Sequence, residues 1–261
     1  MFLAIDVGNT QTTIGLFDEE GASVHGWRMS TSRTDTSDML DSRLHGFFSK
    51  DGLDLSSVDC AGLACVVPVL TRAWSKCLTD HLAQPPMVLT PGEWCGIDVD
   101  MPNPRSVGAD RIANAVAAKR TYGAPVIVVD FGTATNIDVV DADGKYRGGA
   151  ISPGLMLSAS ALFSRAAKLS SVPIEAPAHA LGDTTETAVQ SGIVVGAAAM
   201  AEGLVGRIKE ELDIPEAPVI ATGGLARTVS KATTLFTTVD PELTLRGIVD
   251  IYQMREERNP R

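Results

Sequence analysis

The sequence predicts an α/β fold of two duplicated halves, residues 1–120 and 121–261, with a cleft between them. Three observations lead there. Residues 2–30 (FLAIDVGNTQTTIGLFDEEGASVHGWRMS) and 126–152 (VIVVDFGTATNIDVVDADGKYRGGAIS) form a weak internal repeat. Each opens with an apolar strand ending in Asp, followed by an x-Gly and Thr-rich turn, a β-rich run, an acidic turn with Gly and a third strand. Asp6 and Asp130 lie 124 positions apart in 261 residues, so the repeating unit has the size of a domain. After each hairpin array, helical and strand-like patterns alternate, as in layered α/β proteins.

In order, the first half continues with a helix over 37–50, a strand over 59–67, a helix over 70–82, a short strand over 87–89 and a helix over 111–122. The second half continues with helices over 155–167 and 184–212, a strand over 218–221, and helices over 225–232 and 245–258. Asp183 is the expected N-cap of the long helix, with Glu186 completing a box-like start. That helix carries Gly192, Gly196, Gly203 and Gly206. Each costs about 1 kcal/mol relative to Ala, so close backbone contact is expected, within the subunit or across a dimer. The tail, 258–261, is expected to fray.

Apolar residues make up 44% and charged residues 21%, ordinary for a soluble globular protein with a substantial core. A formal charge of −10 repels phosphate backbones and anionic lipids, so neither nucleic acid nor membrane is an expected partner. Backbone amides and a bound cation can still hold phosphates locally. Cys60, Cys65, Cys77 and Cys95 show no CxxC pair or Cys/His ligand spacing, which fits reduced thiols. No signal-peptide pattern opens the chain, and the longest apolar run, 193–201, is shorter than a bilayer span. A cytoplasmic location is expected. His25, His45, His81 and His179 are scattered without ligand spacing, and no chemistry is assigned to them.

Four motifs carry candidate chemistry. Asp6, Gly8, Asn9 and Thr10 (DVGNT) place a carboxylate at a strand end before a turn whose amides and hydroxyl can meet phosphate. Its near-copy holds Asp130, Gly132, Thr133 and Thr135 (DFGTAT). An ordinary capped hairpin turn is the competing account of either one alone. Gly223 and Gly224 (TGGLA) run from a strand into a helix, where a ligand can lie against bare backbone, or the segment is only a tight turn. Gly108, Ala109, Asp110 and Arg111 (PRSVGADR) open a helix. Asp110 there is an N-cap, a base accepting a hydroxyl proton, or both, and Arg111 suits a substrate carboxylate.

Three strands followed by alternating helices and strands, twice over, resembles the actin-like (ribonuclease H-like) ATPase layout, which implies a central nucleotide cleft. The ordered motifs DVGNT, PRSVGADR, DFGTAT, GGAISPG and TGGLA resemble those of type III pantothenate kinases, as do 185–192 (TETAVQSG) and 240–247 (DPELTLRG). The resemblance runs from Met1 to about Tyr252. It implies phosphorylation of pantothenate by ATP, the committing step toward coenzyme A. It makes Asp6 a Mg²⁺-associated residue, with Gly8, Asn9 and Thr10 in a first phosphate loop. Gly132, Thr133 and Thr135 fall in a second loop, and Gly223 and Gly224 at adenosine. Asp130 becomes the ligand of a monovalent cation, K⁺ or NH₄⁺. Gly108, Ala109, Asp110 and Arg111 become substrate-site residues, with Asp110 the base. Thr185 becomes a substrate contact contributed across a homodimer. Two positions depart from the family pattern: Asn136 replaces a Thr, and Met101 replaces a Tyr beside the pantothenate pocket. Met fills space but cannot donate a hydrogen bond.

Rival expectations are a kinase of another small hydroxylated or carboxylate metabolite, and a non-catalytic regulatory relative.

Overall fold

The computed structural model describes residues 1–165 and 171–258. The chain divides into two compact units: unit 1 is Met1–Asp98, Pro102–Ala117 and the chain from Leu243 onward, and unit 2 is Val99–Met101 and Ala118–Glu242.

Each unit is built on one five-stranded mixed sheet. In unit 1, β1 (Phe2–Val7), β2 (Gln11–Phe17) and β3 (Ser23–Ser30) form an antiparallel meander, and β4 (Cys60–Cys65) and β5 (Met87–Val88) add in parallel beyond β1. In unit 2, β6 (Val126–Phe131), β7 (Ala134–Val140), β8 (Tyr146–Pro153), β9 (Val219–Thr222) and β10 (Thr238–Val239) repeat that order strand for strand. β1 and β6 are central strands covered on both faces, hence their near-continuous apolar runs. In each, the Asp near the C-terminal end is only partly buried.

The acidic turns match bond for bond. Gly21 and Gly144 take φ of +82° and +75°, where a glycine avoids strain, and the amides of Ala22 and Lys145 donate to the Asp18 and Asp141 side chains at 2.7 and 2.9 Å. A register shift precedes each turn, at Leu16/Phe17 and at Val139/Val140.

Period-2 alternation sorts unit 1 into two layers. Leu3, Ile5, Val7 and Leu63 face a core with α1 (Ser37–Lys50) and α2 (Pro68–Thr79), which bury Leu40, Leu44, Phe48, Leu70 and Trp74. α1 starts where the Thr36 side chain accepts from the Met39 amide. The other face meets α8 (Leu243–Arg258): the Phe2 ring lies 4.7 Å from that of Tyr252, and a Cβ at Gly62 would fall 2.5 Å from Ile248. α3 (Ala109–Tyr122) packs on α8 so tightly that a Cβ at Gly247 would fall 2.0 Å from the Ala113 carbonyl oxygen. A division at residue 120 assigns the closing helix to the second half. Its buried Leu245, Ile248 and Ile251 place it in unit 1 instead.

Unit 2 adds α4 (Leu155–Arg165), α5 (Thr185–Gln190), a π-helical turn at Ser191–Val195, α6 (Gly196–Leu212) and α7 (Ala226–Val229). The expected end of the 155–167 helix and of the fraying tail lies outside the described residues. The N-cap of α5 is Thr184 rather than Asp183, and the box partner is Thr187 rather than Glu186; the two threonines exchange side-chain and backbone bonds. The Thr187 amide donates to the Thr184 hydroxyl at 3.1 Å, while the Asp183 carboxylate accepts from the Thr187 hydroxyl at 3.2 Å instead of from an amide. Val194, Ala198, Ala201 and Val205 pack against Ile127, Val129 and Phe131. Of the two expected sources of close packing at the helix glycines, contact within the subunit is not found among the described residues: a Cβ at Gly192, Gly203 or Gly206 would meet nothing within 4 Å. Thr185–Leu212 contains an 18-residue window of mean hydropathy 1.5, so by length and composition alone it is apolar enough to cross a bilayer, which the apolar run 193–201 does not reveal.

Candidate functional site

In unit 1 the first loop closes between Val7 and Thr12, which are register partners, and the Gly8 amide donates to the Gln11 carbonyl at 3.0 Å. A Cβ at Gly8 would sit 2.9 Å from that oxygen, so glycine permits the turn. Asn9 and Thr10 are exposed at the tip. The Thr10 carbonyl accepts from the Thr31 amide at 2.9 Å, and Arg33 donates to Asn9 at 3.3 Å. Asp6 lies on β1 just before this loop.

The PRSVGADR segment belongs to the same unit. Gly108, not Asp110, occupies the capping position, because its carbonyl accepts from Ile112 at 3.2 Å, and Asp110 is already in the first helical turn. Its Oδ1 accepts from the Arg111 amide at 2.8 Å, and a Cβ at Gly108 would fall 2.3 Å from that oxygen. Gly108 therefore lets the carboxylate fold back over the helix start. Burial raises the Asp110 pKa above the usual carboxylate value, opposed by the Arg111 amide and guanidinium. Ala109 is buried, Arg111 partly so. Gly108 also lies against Val66, whose amide donates to the Val7 carbonyl at 3.0 Å. Unit 1 thus gathers Asp6, its loop and the start of α3 around the C-terminal ends of β1 and β4. Two cavities in this unit, of about 300 and 280 Å³, lie elsewhere and include neither Asp6 nor Asp110.

In unit 2 the second loop closes between Phe131 and Thr135, and the Gly132 amide donates to the Ala134 carbonyl at 3.0 Å. Gly132 and Thr133 are exposed. Thr135 is 1% exposed, its hydroxyl enclosed in the sheet. Asn136 stands directly across from Asp130 in the ladder. Gly223, at φ +91°, presses its backbone on Asp130: a Cβ there would fall 2.4 Å from the carboxylate Oδ1. Gly224 is exposed beside it. Met101 belongs to this unit and covers Gly148 of β8, where a Cβ would fall 3.3 Å from its sulfur. Thr185 is exposed as the first residue of α5.

Two residues here escaped sequence reasoning. Gly154 donates its amide to the Thr133 carbonyl at 3.1 Å, and its motif, GGAISPG, was the available signal. Arg33 had none.

The sequence matches the family model for type III pantothenate kinase over residues 2–207. A type III pantothenate kinase of Roseiflexus sp. (strain RS-1) is 43% identical over 254 residues, 97% of this chain and 99% of the relative. One from Exiguobacterium sibiricum is 44% identical over 253 residues, with the same coverage. Among solved structures, a conserved Baf family transcriptional activator from Campylobacter jejuni has a TM-score of 0.63 at 17% identity, covering 98% of this chain and 99% of its own, a likeness of fold. The chain, with its paired actin-like sheets, belongs to the type III pantothenate kinase family, enzymes that phosphorylate pantothenate with ATP in coenzyme A synthesis.

Proposed function

We propose that Asp110 is the general base for pantothenate phosphorylation, that Arg111 receives the pantothenate carboxylate, and that the Gly8–Thr10 and Gly132–Thr133 turns hold ATP phosphates. The observation that carries this reading is the Asp110 carboxylate, folded over Gly108 and made more basic by burial. A raised pKa suits removal of a hydroxyl proton, which leaves the substrate oxygen able to attack the γ-phosphorus. The planar fork of Arg111 matches a carboxylate. Gly223 and Gly224 offer bare backbone to the adenosine, and Met101 gives the pantothenate pocket an apolar wall.

A divalent cation supplies charge neutralisation at the β- and γ-phosphates. The donors fit: Asp6 and Asp130 are hard oxygen ligands, each partly buried at a strand end next to its loop. Asp6 would hold Mg²⁺, directly or through water, and Asp130 a monovalent cation, K⁺ or NH₄⁺. Thr135, enclosed beneath the second loop, would shape that loop rather than touch phosphate.

The working form is a homodimer in which Thr185 of one subunit completes the pantothenate site holding Asp110 of the other. Support comes from unit 2, where Met156 and Leu157 are each 54% exposed, Ile151 and Leu181 more so, and the helix glycines stand open. Exposed apolar side chains of this size would suit burial against a second copy. A second copy on it accounts for the apolar helix without a membrane, since that helix is already anchored in the unit 2 core. With a net charge of −10, the protein is a cytoplasmic enzyme that binds no nucleic acid.

The test mixes two inactive variants, Asp110→Asn and Thr185→Arg, by co-refolding at equal amounts. Half the dimers are mixed and half their sites intact, so about one quarter of wild-type activity returns. No recovery, with mixed dimers confirmed by mass spectrometry, rules the shared site out.

A further inference from the structure

We infer that the outer surface of unit 1 carries a separate metal site, formed by Asp41, His45 and His81, for a borderline-soft divalent ion such as Zn²⁺. The sequence shows no ligand spacing among its histidines, and only folding creates the cluster. Asp41 and His45 stand one turn apart on the same face of α1. His81 follows α2 and reaches across to them.

The donor atoms of the three lie within 4.8 Å of one another. His81 Nε2 hydrogen-bonds Asp41 Oδ1, and His45 Nε2 is 3.8 Å from the same oxygen. The imidazole rings are edge-on, 5.2 Å between centroids. Donors around a tetrahedral zinc sit about 3.3 Å apart, given bonds of roughly 2.0–2.1 Å. Rotamer adjustments of exposed side chains close that difference, and water completes the fourth position. Two imidazoles and one carboxylate suit Zn²⁺, Ni²⁺ or Co²⁺, whereas Mg²⁺ prefers oxygen alone.

Asp38 adds a negative charge one turn before the cluster on α1, whereas Asp80, next to His81, is already paired with Lys76 at 3.0 Å. Cys77, buried in α2, is not a competing ligand: burial first, then the Asp41 and Asp80 charges, push its pKa up to about 12 and keep it a thiol. An ion here would tie α1 to the end of α2, the two helices that cover one face of the unit 1 sheet.

The experiment compares chelator-stripped wild type with His45→Gln and His81→Gln by calorimetric titration with ZnCl₂ and with MgCl₂. Wild type is expected to bind one more equivalent of Zn²⁺ than either variant, or to bind it at least about tenfold more tightly. Excess Mg²⁺ should not displace it. Added Zn²⁺ should raise the wild-type Tm and leave both variants unmoved. Co²⁺ should give a visible absorption band in wild type that the variants lack. Kinase activity of the metal-stripped variants, assayed with Mg²⁺, verifies that they fold. Equal Zn²⁺ stoichiometry, affinity and Tm shift in all three proteins, or no Zn²⁺ bound by wild type, overturns the inference and leaves a surface His–Asp hydrogen bond.

Discussion

The loops after Asp6 and Asp130 follow matching strands of matching sheets, yet the first contains one residue more. Between register partners, Gly8–Gln11 closes the first and Gly132–Ala134 the second. The aspartates before the loops are therefore 124 positions apart, while the acidic-turn glycines after them, Gly21 and Gly144, are 123 apart. With that offset, Thr31 and Gly154 are counterparts, and their amides make the same bond, to the carbonyls of Thr10 and Thr133 at 2.9 and 3.1 Å. The side chains differ. Thr31 also meets the buried Thr12 hydroxyl at 2.9 Å. Gly154 has nothing to offer the matching Thr135, whose hydroxyl has no hydrogen-bond partner among the described residues. A side chain at 154 is excluded, because its Cβ would fall 2.3 Å from the Thr133 oxygen. The first loop is thus held by side chains and the second by close backbone packing, so one duplicated unit yields two loops with different tolerances.

The largest expected effect lies at the proposed base, Asp110, which has no counterpart motif in unit 2. Asp110→Asn should lower kcat by roughly 10²- to 10⁴-fold in a coupled assay. Stability should move the other way. The folded-state pKa of Asp110 is raised, so the folded protein holds its proton more tightly than the unfolded chain. Stability therefore falls as pH rises from the usual carboxylate value through the raised one, and the loss persists above it. The Asn variant escapes this loss. Its Tm should exceed wild type at neutral pH and match it below the carboxylate range; a lower Tm at neutral pH would show that the charge is stabilising.

The cations come next. If the two aspartates divide the work, wild type should require K⁺ or NH₄⁺ and slow strongly in Na⁺ alone. Asp130→Asn should remove that distinction, while Asp6→Asn should raise the Mg²⁺ concentration needed for half-maximal rate. Equal wild-type rates in K⁺ and Na⁺ would remove Asp130 from this role.

Smaller effects test how each loop is held. Gly154→Ala should destabilise by about 1–3 kcal/mol, the usual cost of overpacking against atoms that cannot retreat. Thr31→Ala, at the counterpart position, should be milder, about 1 kcal/mol for one hydrogen bond. Smallest, Thr135→Val should be neutral or slightly stabilising in urea melts, because it removes an enclosed hydroxyl without a partner, whereas Thr12→Val should cost about 1 kcal/mol. Equal losses at the two threonines would erase the distinction.

The meander of each sheet was legible because apolar strand, Asp, Gly turn and acidic turn recur in sequence, and each piece has a local cause. Helix existence was legible too, but cap identity was not. Asp183 and Thr184, or Gly108 and Asp110, differ by a shift of one or two residues that only backbone geometry decides. The two-residue β10 carries too little pattern to stand out. The membership of α8 in unit 1 depends on Ile248 and Tyr252 meeting strands that lie far earlier in the chain. The His45–His81 pair was invisible for the same reason, since it exists only once α1 and α2 are packed. The candidate motifs stood out in the sequence, but the reasons for their glycines did not: Gly108, Gly154 and Gly223 are set by atoms their side chains would strike.

The position of α8 also sets an order of events at the ribosome. Unit 2 is almost continuous in the chain, so its sheet can close soon after Glu242 has emerged. Unit 1 begins first and finishes last, with β1, β2 and β4 made early and one face of their sheet bare until Leu245, Ile248 and Ile251 arrive. During that interval an apolar surface containing Phe2 is open to chaperones or to self-association, and its pairing spans nearly the whole chain, the kind of long-range closure that slows folding. The duplicated halves are therefore born in one order and completed in the other.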